Sequence, residues 1–220
     1  MKGRLRNVKI NEQQRKFANF DQSNLSELIF YKDKYEKFIL ELCSGTGDFL
    51  VGYAEKEPES FFLGIDYAEN AHIRALKKAF NLKLNNCKFI NSYIQETLNY
   101  LPEEFFNTIY INFPDPWPKK RHINRRLVTK EFLCKINKFI KINGYCIIIT
   151  DNNWYKEFID EQIYQIKCYS KYFKDSWFTE DEEKFSSIFP LFYSNYYLKA
   201  KKLNNIVRFY ILQKINLSLL

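Results

Sequence analysis

Five short apolar runs, most of them separated by stretches of helical period, constrain this chain more than any other feature. They are KFILELC (37–43), FFLGID (61–66), CKFIN (87–91), NTIYINF (107–113) and GYCIIITD (144–151). Continuous apolarity over so few residues is the mark of a strand buried on both faces, because a strand with one wet face alternates. Phe49, Leu50, Tyr53 and Ala54 share a helical face after the first run, and Ile73, Leu76, Ala79 and Phe80 share one after the second. Val128, Phe132, Leu133, Ile136, Phe139 and Ile140 do so before the fifth. Strand and helix in alternation predict an α/β fold, a mostly parallel sheet with helices on both faces. After Trp154 the pattern weakens, although NNIVRFYILQKI (204–215) reads as a last strand. With no repeat or low-complexity linker, residues 23–220 are expected to form one domain, and residues 1–22 a basic, mobile N-terminal arm.

A chain of 220 residues, 46% apolar and 18% aromatic, can bury a core of that size. No apolar run reaches the roughly 18 residues of a membrane span. The basic start leads into polar sequence rather than a signal peptide's apolar segment, so a soluble, cytoplasmic protein is expected. Five cysteines without a C-x-x-C pair, alongside only two histidines, predict neither a disulfide framework nor a metal site. They read as reduced, buried thiols.

The net charge of +8 is unevenly placed. Residues 1–16 hold six basic groups against one acid, Lys119–Lys130 holds six Lys or Arg and no acid, and 199–214 holds five and none. Brought together by a fold, such clusters suit a polyanion.

In an open parallel sheet, ligands bind at the carboxyl ends of the strands. Gly45 and Gly47, in LELCSGTGDFL, form a tight turn from the first strand into a helix, where backbone can approach a ligand. Leu50 stands where a dinucleotide fingerprint has its third glycine, which argues against a pyrophosphate. Asp66, ending the second strand, is placed to accept from ribose hydroxyls. With Glu41 these groups suit S-adenosylmethionine, while a nicotinamide cofactor or a purely structural loop stays open. Asn91 or Ser92, at the end of the third strand, can meet an adenine edge or simply make a turn.

After the fourth strand comes NFPDPWPKKRHINRR (112–126). Pro114, Pro116 and Pro118 each fix φ and restrict the preceding residue, so Asp115 sits in a stiff loop suited to meeting a substrate in one geometry. Trp117 either packs the loop down or stacks on a base. Lys119, Lys120, Arg121, Arg125 and Arg126 are expected to reach phosphates. Of the histidines, His72 is expected on a helix surface and His122 among the groups facing the polyanion.

These residues resemble the bacterial tRNA (guanine-N7)-methyltransferases: the 112–126 loop nearly letter for letter, with LELCSGTGDF, GID and ITDN in order, over residues 30–215. The resemblance implies a Rossmann-like class I methyltransferase fold with a seven-stranded sheet. It also implies S-adenosylmethionine as donor and a guanine in the tRNA variable loop as target. By position, Glu41, Asp66 and Asn91–Ser92 then line the cofactor, Asp115 belongs to cofactor and catalytic centre, and Lys119 and Asp151 contact substrate. Two places depart from the pattern. Asn91–Ser92 stands where the family carries Asp. The late T-x-x-E segment is matched in letters by Thr179–Glu182, but in distance from the last strand by Ser194–Tyr197, with Lys199 following. Spacing favours Ser194, Tyr197 and Lys199 as substrate contacts, with Asp151 able to replace the missing Glu.

Guanine N7 bears a lone pair and no proton, so its methylation needs alignment and electrostatics more than a general base. Asp115 is accordingly expected to orient the purine rather than remove a proton. A class I methyltransferase with another substrate and a non-catalytic RNA-binding module are the alternatives. Monomer and homodimer are both compatible with the sequence.

Overall fold

The computed structural model describes residues 8–172 and 176–216, arranged as two compact units. The first comprises Met1–Pro102 with Phe192–Ser194. Its elements are α1 (Glu12–Ala18), a 3₁₀ segment (Gln22–Tyr31), β1 (Lys37–Leu42), α2 (Asp48–Lys56), β2 (Ser60–Asp66), α3 (Glu69–Asn81), β3 (Cys87–Asn91) and α4 (Ile94–Thr97). β1, β2 and β3 pair in parallel with β2 in the middle. Phe61, Phe62, Leu63 and Ile65 of β2 are fully buried, as their unbroken apolarity predicts. Phe192 stacks on Tyr53 of α2 at 4.9 Å between ring centroids.

Part of the expected arm is folded onto this unit. Asn11 and Gln14 close a capping box that starts α1. Phe17 meets Phe80 of α3 edge-on at 5.5 Å. The Phe20 N–H then donates to the Phe89 carbonyl of β3 at 2.8 Å. Residues 1–7 lie outside the described residues.

His72 is buried rather than on a helix surface. Its Nε2 lies 2.9 Å from Asn19 Oδ1, and burial, with the Arg15 charge adding to it, pushes its pKa down to about 4. The buried face of α3 is Ala71, His72, Ala75, Leu76 and Ala79. Of the Ile73, Leu76, Ala79 and Phe80 stripe that the spacing picks out, Leu76 and Ala79 are buried and Ile73 and Phe80 only half-buried.

The second unit comprises Glu103–Leu191 with Asn195–Leu220. It holds β4 (Phe106–Asn112), a 3₁₀ segment (Lys120–Arg125), α5 (Lys130–Asn137), β5 (Ile140–Thr150) and α6 (Asn153–Tyr164). Then follow β6 (Tyr169–Lys171), β7 (Phe178–Thr179), α7 (Glu182–Ser186), α8 (Asn195–Lys202) and β8 (Arg208–Lys214). β4 and β5 are parallel, β8 runs antiparallel to β5, and both β6 and β7 pair with β8. Ile140 opens β5 instead of closing the preceding helix, which ends at Asn137. The last strand begins at Arg208, later than its apolar pattern suggests, because residues 203–205 terminate α8.

The cysteines are not uniformly buried. Cys87 and Cys146 are, but Cys134 is exposed and its sulfur stands 3.9 Å from that of half-buried Cys168. Among the described residues, no helix is long and apolar enough to cross a membrane, and no group of three or more His, Cys, Asp or Glu could hold a metal.

Candidate active site

In the first unit the glycine turn and Asp66 form one construction. Gly45 and Gly47 take φ of +53° and +71°, a region that disfavours other residues. The Gly45 N–H donates to Asp66 Oδ2 and the Ala68 N–H to Oδ1, both at 2.8 Å. The carboxylate thus ties the end of β2 to the turn after β1. A Cβ on Gly47 would lie 2.8 Å from Ala75 Cβ and 2.9 Å from Phe89 Cζ, whereas one on Gly45 would meet nothing nearer than 4.0 Å. Gly47 is therefore required by packing, while Gly45 leaves open space above the turn. Glu41 is buried near the end of β1.

Asn91 donates to the Asp66 carbonyl at 2.9 Å, and the Ser92 hydroxyl to Gln22 Oε1 at 2.7 Å. Both thus serve local structure at the strand end.

Two features escape a reading of the sequence. Lys78 of α3 reaches back to donate to the Thr46 carbonyl at 2.8 Å and the Asp48 carboxylate at 2.5 Å, pinning the turn from its far side. Tyr67 and Tyr93, each just past a strand end, stack at 5.4 Å with both rings more than half exposed. Their position directly after Asp66 and Ser92 was the available signal.

The second unit contains a cleft of about 230 Å³. Pro114, Asp115 and Pro116 form one wall; Thr150, Asp151 and Asn152 at the end of β5 form another. Tyr196 and Lys199 of α8, with Leu203 and Asn205 beyond it, complete the lining. Phe113 (φ +49°) and Trp117 (φ +45°) bracket the proline loop in left-handed conformations, which turn the chain sharply at both ends of a stiff segment. At the second wall, Asn152 caps α6 by accepting from the Tyr155 N–H at 2.9 Å. The ITDN stretch is therefore a strand end followed by a helix cap, with Asp151 between.

Lys119, Lys120, Arg121 and Arg125 are exposed beside this loop. Trp117 packs rather than standing open: His122 meets it edge-on at 5.3 Å and the Arg125 guanidinium lies 5.0 Å from its centroid. Arg126 differs from its neighbours. Only 8% exposed, it lies over Trp154 at 4.4 Å and Phe158 at 4.7 Å, and its Nε donates to the Trp117 carbonyl at 3.3 Å. The expectation that Arg126 reaches phosphate is overturned; it anchors the loop through cation–π contacts.

The late segment divides. Tyr196 and Lys199 are on the cleft face of α8, one turn apart, whereas Tyr197 is 2% exposed and packs on Phe113 and Phe209. Ser194 falls in the first unit and is half-buried. Neither Thr179 nor Glu182 is among the described residues lining the cleft. Glu182 instead pairs with Lys201 at 2.8 Å, and this bond, with help from the Tyr197 hydroxyl, holds its carboxyl below the usual range.

Residues 35–204 match the methyltransferase family model Methyltransf_4. A tRNA (guanine-N(7)-)-methyltransferase of Staphylococcus haemolyticus is 32% identical over 181 residues, covering 77% of this chain and 83% of that protein. The chain belongs to this family. The corresponding protein of Halalkalibacterium halodurans is 36% identical over 133 residues, which are 60% of this chain and 58% of that one. The chain thus spans little more than half the length of this second relative. Among solved structures, the 16S rRNA methyltransferase KamB superposes with a TM-score of 0.61, covering 87% of this chain and 94% of KamB at 10% identity. At that identity the likeness concerns the fold alone, the Rossmann-like class I methyltransferase fold that family membership implies.

Proposed function

We propose that this family member is an S-adenosylmethionine-dependent tRNA (guanine-N7)-methyltransferase acting on a guanine of the variable loop. The observation that carries this is the second unit's cleft, where the proline-held Asp115 shares a purine-sized space with Asp151 and Lys199, beside four exposed cations. The names of its relatives, tRNA (guanine-N(7)-)-methyltransferases, point to the same substrate.

The first unit's donor set fits the cofactor. Asp66 and Glu41 offer carboxylate acceptors to ribose hydroxyls and an ammonium group, and the open side of Gly45 admits a ligand close to backbone. Asn91, Ser92 and Gly47 complete that region, Gly47 by shaping the turn. When bound, the cofactor supplies a methyl group on a sulfonium centre.

The chain's own contribution is orientation and charge. Asp115 accepts from purine N–H donors, and together with Asp151 it favours the positive charge the purine acquires as its N7 lone pair forms the new carbon–nitrogen bond. Lys119, Lys120, Arg121 and Lys199 hold phosphates either side of the target. Tyr197 acts from beneath α8 by packing, and Ser194 stands at the start of that segment. A single chain can supply all these groups, and the enzyme works in the cytoplasm where tRNA is modified.

The test is methylation of a transcribed tRNA followed by nucleoside mass spectrometry. The expected product is 7-methylguanosine from a single site. Methylation of another base, or of a small molecule or protein only, would replace this function. Failure to bind S-adenosylmethionine at all would favour a non-catalytic RNA-binding module.

A further inference from the structure

α8 ends in a way that places one side chain on the cleft. Asn204 takes φ +54°, the left-handed conformation that asparagine tolerates best after glycine. The Asn205 N–H donates back to the Ala200 carbonyl and the Asn204 N–H to Lys201, both at 3.0 Å, the paired bonds of a Schellman stop. The turn delivers Asn205 to the end of β5, where its Nδ2 donates to Asp151 Oδ2 at 2.8 Å. A carboxylate only accepts, so the Asn205 amide has one sensible orientation: nitrogen toward Asp151, carbonyl oxygen free to accept elsewhere. Asp151 keeps Oδ1.

We propose that Asn205 and Asp151 form an acceptor pair that selects guanine, with Asn205 also positioning the Asp151 carboxylate. Guanine carries two neighbouring donors on one edge, N1–H and the N2 amino group. Adenine offers an acceptor and an amino group there, and hypoxanthine lacks the second donor. Two adjacent acceptors fit the first of these and leave a polar atom unsatisfied against the others, which is where discrimination is strongest. Tyr196 gives the base a face to lie on: its ring is 50% exposed and stacks on Phe113 at 6.3 Å with 21° between planes. This selection rests on reading the cleft as the site of the target purine.

The experiment compares guanosine and inosine at the methylated position of the same tRNA, for the full chain and for Asn205→Ala. Inosine keeps N7 and N1–H and loses only the amino group. Wild type is expected to favour guanosine. In Asn205→Ala, kcat/KM on guanosine is expected to fall by about tenfold or more, the effect of losing a hydrogen bond to a charged group. Its value on inosine should fall less, so the preference narrows. The turn is made by backbone, so the variant's melting temperature should match wild type. Asn205→Asp, which keeps the shape but sets an acceptor against Asp151, is expected to fall at least as far. An unchanged guanosine preference in Asn205→Ala would overturn the proposal, as would an equal loss on both substrates. A wild-type chain that methylates neither tRNA would instead refute the function beneath it.

Discussion

Gly45 and Gly47 share a backbone conformation, yet their surroundings predict different consequences of adding a methyl group. At Gly47 the left-handed φ costs an alanine about 1–2 kcal/mol, and the 2.8 Å approach to Ala75 adds a clash with a packed helix. Gly45→Ala meets only the first cost. Gly47→Ala is therefore expected to lower the melting temperature clearly with or without cofactor. Gly45→Ala should melt closer to wild type and show its defect in S-adenosylmethionine affinity. Paired thermal melts and binding titrations check this. His72 supplies a pH effect of definite sign. An unfolded histidine takes its proton near pH 6.5, whereas this one holds off until about 4. Between those values the unfolded chain binds more protons, so stability is full above about pH 6.5 and falls as pH drops toward 4. The limiting loss is on the order of 3 kcal/mol. Denaturant unfolding at pH 7.5 and 5 should show the drop, and His72→Gln should flatten it.

At the scale of elements, what the sequence revealed followed burial. Strands β1 to β5 were legible because buried faces on both sides leave an unbroken apolar run, as in FFLGID. β6 and β7 escaped because three and two residues are too short for any period, and they exist through pairing with β8. The face of α3 was legible only at Leu76 and Ala79, because Ile73 and Phe80 outweigh the small Ala71 and Ala75 that complete the buried side. Of the candidate site, Asp115 was legible from its proline loop after a strand and Asp151 from the family resemblance, and the two do line one cleft. Arg126 looks like any other cation in a basic run, and only the positions of Trp154 and Phe158 reveal its anchoring role. Arg126→Ala is expected to loosen the proline loop and lower thermal stability, through lost packing as much as lost charge. Arg125→Ala, on an exposed residue, should leave the melt nearly unchanged.

For the whole molecule the governing quantity is charge, +8 overall with Lys119, Lys120 and Arg121 exposed on one loop. Binding of tRNA should weaken steeply with salt, because each neutralised phosphate releases counterions. Lys119→Ala and Arg121→Ala should each reduce the log–log slope by roughly 0.7, the value for a contact to single strands. An unchanged slope would place that side chain off the RNA. The most direct test of the central claim, that a rigidly held carboxylate orients the purine, is Asp115→Ala assayed for cofactor affinity and for 7-methylguanosine formed in a single turnover. Near wild-type S-adenosylmethionine binding with most of the methylation lost is the result expected; near-normal turnover in the variant would contradict it.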